Sequence, residues 1–137
     1  MMKNKVGYAV HITCGRYLAM PQTDLSLQEI YNLLDCDTIE TVSFKFPIPG
    51  VIMLVDESGK LNEKRFNPIA SILYAAPYDY IGGDALLVKL NADRTDFEPF
   101  TEEEACQVVG TVRMMVHRYA DEDINLAATS SNNKGGH

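Results

Sequence analysis

Between Arg65 and Asp84 the chain gathers Arg65, Asn67, Tyr74, Tyr78, Asp79, Tyr80 and Asp84, side chains that can bind or react. Aromatic rings beside a few polar groups at element ends line ligand pockets, and amphipathic tyrosines are common at protein interfaces. Arg65, Asn67, Tyr74, Tyr78, Tyr80 and Asp84 are therefore the candidate residues for binding a ligand or a partner, although half of them could belong only to the core. A reactive use of the region needs a general acid and a general base, and Asp79 and Asp84 are the pair on offer. With Arg65 and Asn67 holding a substrate, they would make a small hydrolase or a nucleotide-processing enzyme. Nothing in the sequence sets the two carboxylates apart in acidity, and surface carboxylates are the ordinary explanation of such a pair, so no catalytic residue is assigned.

Three further constellations are weaker. His11 and Cys14 are close enough to share a zinc ion, but a tetrahedral site needs two more ligands, and Cys36, Cys106 and His117 show no ligand-pair spacing. The same residues as nucleophile and base lack the elbow or helix N-terminus that would lower the thiol pKa of Cys14 or Cys36, and Cys106 reads as a small buried residue of a helix. Gly82-Gly83-Asp84 resembles a phosphate cradle, yet it leads into a strand with no lysine at P-loop spacing, so a backbone turn is the expectation. Neither a metal nor a cofactor is expected.

Composition narrows the classes. With 12 Lys and Arg against 19 Asp and Glu, the net charge is −7, which repels a phosphate backbone and an anionic membrane surface. The acidic residues are scattered, the usual pattern of a solvated surface. No apolar run reaches the ~18 residues of a membrane span, and Met1-Met2-Lys3-Asn4-Lys5 does not lead into a secretion leader. Three cysteines without paired spacing fit a reducing cytoplasm. A chain of 137 residues, 46% of them hydrophobic, is the size of one domain that folds without staples.

The elements that would position these residues emerge from periodicity and punctuation. Val6 to Thr13 alternates as a strand, and Gly15-Arg16 turns the chain into Tyr17 to Met20, ended by Pro21. Ser26 to Glu29 is a capping box, stapled by Leu25 and Ile30, for a short helix burying Leu27, Ile30, Tyr31 and Leu34. Thr38 to Phe46 alternates as a strand whose register slips once between Ile39 and Val42, and Val51 to Val55 is a continuous apolar run suited to a central strand. Asp56-Glu57-Ser58-Gly59 predicts a type I turn with glycine left-handed, returning Lys60-Leu61-Asn62 as a hairpin partner. Asn67 caps a short helix with Pro68 at its first position, carrying Ile69, Ile72, Leu73 and Tyr74 inward until Pro77 stops it. Ala85 to Leu90 is another buried strand. A Thr101 to Glu104 capping box opens the longest helix, with Ala105, Val108, Val109, Val112, Met115, Val116 and Tyr119 at helical spacing. Residues 127–137 are small, polar and aperiodic, the signature of a disordered tail after a domain spanning 1–126.

Leu27-Gln28, Ile39-Glu40-Thr41-Val42, Val55 to Leu61, Asn67-Pro68-Ile69-Ala70 and Ile81 to Val88 resemble the domain of unknown function 3846 family over about residues 25 to 90. That family is spread through phages, plasmids and bacterial mobile elements, so the resemblance implies a source and a fold but no activity and no catalytic residues. Where the family usually opens the turn with asparagine, this chain has Asp56. The expected architecture is a single α+β domain, an antiparallel or mixed sheet of four to six strands packed by two short helices and one long C-terminal helix. The expected function is a non-enzymatic binding protein of a mobile element or its bacterial host, occupying a protein partner or a small ligand, with antagonism of host defence as one such role. The alternatives are the enzyme above and a homo-oligomeric module with its interface at the tyrosines or the exposed side of the long helix.

Overall fold

The computed structural model describes residues 7–22, 25–42, 44–76, 79–93 and 95–135, with backbone alone at residue 22 and from 121 onward. In chain order the elements are β1 (Gly7–Ile12), β2 (Tyr17–Gln22), α1 (Leu27–Leu34), β3 (Ile39–Val42), β4 (Val51–Asp56), α2 (Pro68–Tyr74), β5 (Ala85–Leu90), β6 (Phe97–Glu98) and α3 (Glu102–Gly135). The strands form one six-stranded antiparallel sheet in the order β2-β1-β5-β4-β3, with β6 pairing β5. The domain is α+β, as the patterning implies.

The continuous apolar runs became β4 and β5, which need cover on both faces because successive side chains point in opposite directions. On one face Met53, Val55, Ala85 and Leu87 join Val10 and Ile12 beneath Ala70 and Leu73 of α2 and Ala105, Val108 and Val112 of α3. On the other, Leu54, Leu86, Val88 and Ala9 meet Ile30 and Leu34 of α1. β3 pairs with β4 in unbroken register, so there is no slip between Ile39 and Val42: three residues apart, they face opposite sides, Ile39 toward α1 and Val42 toward α2 and α3.

Several boundaries differ from the sequence reading. Pro21 lies inside β2, opposite Tyr8, because an edge strand tolerates a missing N–H. β3 stops at Val42, and Phe44 and Phe46 pack their rings 5.3 Å apart outside any strand. Pro47 and Pro49 cannot donate to a ladder, so pairing does not extend into this connection. Leu27 is half exposed and Tyr119 is exposed. Cys106 is also exposed, one step off the Ala105–Val108 stripe, and not the buried residue expected. Helix α2 ends at Tyr74 with Ala75 left-handed at φ 53°, before Pro77, which lies outside the described residues. The aperiodic 127–137 stretch falls in and beyond the part of α3 described by backbone only.

The largest difference is the loop after β4. Residues 57–63 form successive turns, with the Asn62 amide donating to Ser58 O at 2.8 Å and that of Lys64 to Gly59 O at 2.9 Å, and Lys60 to Asn62 pair with no strand. Gly59 is not left-handed; its requirement is space, since a Cβ there would lie 2.3 Å from Gly82 O. Gly83 does need a positive φ, +91°. Lys64 closes the loop, reaching Leu34 O at 3.0 Å at the end of α1 and pairing at 2.8 Å with Asp56, whose side chain is 3% exposed. Asn67, fully buried, caps α2 through its Oδ1, which accepts from Ala70 N at 3.0 Å. Its Nδ2 donates to Ile12 O at 3.1 Å and Gly83 O at 2.9 Å.

Candidate functional site

Two of the hollows in the surface of the described residues border the loops on either side of α2. The first lies on the α2–α3 face, where the end of α2 and the 57–63 turns meet β3 and β4. It encloses about 90 Å³ and is lined by Glu40, Lys60, Tyr74, Asp79 and Tyr80 over an apolar floor that includes Val42, Val55 and Ile81. Asp79 is its hub. One carboxylate oxygen accepts from Lys60 Nζ and from the Tyr80 amide at 2.8 Å, and the other accepts from the Tyr74 hydroxyl at 3.0 Å. Lys60, then the Tyr80 amide and the Tyr74 hydroxyl, hold the Asp79 carboxyl down to about 2. The same contacts push the Lys60 ammonium and the Tyr74 phenol upward. Lys60 Nζ also lies 5.2 Å from the centre of the Tyr80 ring, and that ring packs against Phe66 at 5.8 Å.

The second hollow, about 510 Å³ and open to solvent, lies at the C-terminal end of α1, between the β1–β2 turn and the loop before β5. Cys14, Lys64, Arg65 and Asp84 line it. Asp84 bonds His11 Nε2 at 2.9 Å, tying β1 to the loop before β5. The Arg65 carbonyl accepts from Gly83 N at 2.7 Å and from the Cys14 thiol at 3.8 Å, while its side chain is exposed. Cys36, in the apolar cluster under α1, has its thiol pKa pushed up by burial and by the Asp56 carboxylate.

The sequence candidates are thus divided. Tyr74 and Tyr80 meet at the first hollow with Asp79, whereas Arg65 and Asp84 border the second. Asp79 and Asp84 do not converge. Asn67 sits between the two with its amide fully engaged and no accessible surface. Tyr78 lies outside the described residues.

A family model described as domain of unknown function (DUF3846) matches residues 9–115. The chain belongs to the DUF3846 family. No curated protein and no solved structure matches it. The DUF3846 match runs past residues 25 to 90 at both ends, taking in most of β1, all of β2 and the sheet-packing part of α3. Several residues in the stretches that resemble the family are architectural: Gly59 and Gly82 permit a backbone contact and Asn67 ties α2 to β1, while Asp56, where this chain departs from the family's asparagine, anchors Lys64.

Two residues at the site escape the sequence reading, Lys60 and Phe66, and so does the exposure of Leu61 next to Lys60 in the chain. The turn signal places Lys60 on a hairpin strand, where its direction would be different. Leu61 and Phe66 are 84% and 53% exposed, an uncommon placement for large apolar side chains that no local pattern announces. Among the described residues no helix is long and apolar enough to cross a membrane.

Proposed function

We propose that this DUF3846 protein is a non-enzymatic binding protein whose partner is a protein docking on Phe66 and Tyr80 at the mouth of the Asp79 hollow. The observation that carries this reading is the exposed Phe66–Tyr80 ring pair, its planes tilted by 53° with centroids 5.8 Å apart, on the segments that flank α2. Rigid exposed aromatics beside a small recess are the anatomy of an interface hot spot. At about 90 Å³ the recess suits one side chain and falls well short of the ~300 Å³ at which pockets for whole small molecules begin. An enzyme using Asp79 or Asp84 with Arg65 and Asn67 has less support, because these groups border different hollows and Asn67 is sealed in. The setting that goes with this reading is the cytoplasm of a bacterium, the chain carried by a phage or another mobile element.

Incorporating a photo-crosslinking phenylalanine analogue at position 66, with position 27 on the opposite face as control, tests the reading in the native host. A discrete adduct with another protein at 66 alone, reduced several-fold by Tyr80→Ser, is expected. Equal labelling at both positions would remove it, and turnover of a nucleotide or ester panel abolished by Asp84→Asn would replace it with the enzyme.

A further inference from the structure

Lys60 shows what the Asp79 hollow is built to hold. Its ammonium rests on a carboxylate and near the face of an aromatic ring, the pair of contacts by which proteins grip an alkylammonium or guanidinium group. The receptor does not depend on Lys60 for its shape, since Asp79 is oriented independently by the Tyr74 hydroxyl and the Tyr80 amide. Nor is Lys60 firmly held: its side chain is 47% exposed on a turn, and an exposed ion pair is worth only ~0–1 kcal/mol. Charge around the hollow remains unbalanced. Glu40 and Glu57 also line it, and neither has a salt-bridge partner among the described residues, while the Asp56 charge is met by Lys64.

We propose that the Asp79–Tyr74–Tyr80 hollow is a receptor for a basic side chain of the partner protein, a lysine or an arginine, and that Lys60 is a built-in competitor that swings into water when the partner arrives. This rests on the preceding reading of the face as a docking surface and adds the chemistry of the contact. The incoming cation inherits the carboxylate and the ring, and Glu40 and Glu57 favour it further by long-range attraction. Lys60 therefore sets a threshold: weakly basic surfaces are rejected by competition, and only a well-placed cation displaces it.

The test is titration of the full chain with N-acetyl-lysine amide and N-acetyl-arginine amide, monitored by nuclear magnetic resonance of the tyrosine rings, with uncharged N-acetyl-norleucine amide as control. Lys60→Ala is expected to bind both cations at least about threefold more tightly than the natural chain, because a competing cation has gone. Asp79→Asn and Tyr80→Leu, checked for folding by thermal melts, should each weaken binding, the first by about tenfold. Unchanged or weaker binding by Lys60→Ala, or equal binding of the norleucine amide, overturns the proposal. If the cations fail while the position-66 adduct persists, the docking surface stands and its cation receptor falls. Tighter cation binding by Lys60→Ala without any adduct keeps the receptor and removes the docking surface.

Discussion

Asn67 spends its whole side chain on backbone groups from three places, Ala70, Ile12 and Gly83. Asn67→Ala removes a helix cap and one donor to each of the Ile12 and Gly83 carbonyls, so urea unfolding should show a loss of about 2–4 kcal/mol. The cap was legible, because Asn-Pro before an apolar run has a local meaning. Its two donor bonds were not, since Ile12 lies 55 residues away and Gly83 16. Asp79 illustrates the same split, with its partner Lys60 at a separation of 19 residues. A carboxyl held below its ordinary 3.8 stabilises the fold above that pH and loses its contribution as the pH falls toward about 2. The melting temperature of the natural chain should therefore exceed that of Asp79→Asn at pH 6, and the gap should close between pH 4 and 2. A gap that persists at pH 2 would mean that Asp79 acts through packing and not through its charge.

At the scale of elements, local patterns identified the helices and the central strands, and the loop after β4 exposes where they fail. Asp56-Glu57-Ser58-Gly59 is a sound turn signal, but the path of the chain beyond it is decided by the approach of Gly82 and by Lys64 reaching α1. Gly59→Ala puts a Cβ against backbone that cannot yield, with an expected cost of at least about 2 kcal/mol in thermal or urea unfolding. Gly110 in α3 has nothing within 4 Å of its would-be Cβ, so Gly110→Ala should stabilise by about 0.5–1 kcal/mol through helix propensity. Opposite signs for the two substitutions would separate a glycine needed for close contact from one that is merely tolerated. The capping box of α3 was readable because both halves are local: Thr101 Oγ1 accepts from Glu104 N at 3.1 Å, and the Glu104 carboxylate accepts in return from Thr101 N at 2.9 Å.

For the molecule as a whole, the net charge of −7 and the carboxylates around the Asp79 hollow predict that a basic partner is drawn in from a distance. Its association should slow several-fold between about 50 mM and 500 mM salt in stopped-flow mixing, because the screening length falls below the span of the acidic rim. A rate indifferent to salt would leave the Phe66–Tyr80 contact as the only attraction. Composition and periodicity by themselves determined that the chain is one acidic α+β unit, which runs are central strands and where the helices begin, because these depend on interactions within a few residues. Only the tertiary structure decided that Arg65 and Asp84 stand apart from Tyr74 and Tyr80, that Asn67 is masonry, and that Lys60 meets Asp79. Which face a residue joins is set by strand register and by contacts between segments far apart in the chain, and no local pattern encodes those distances.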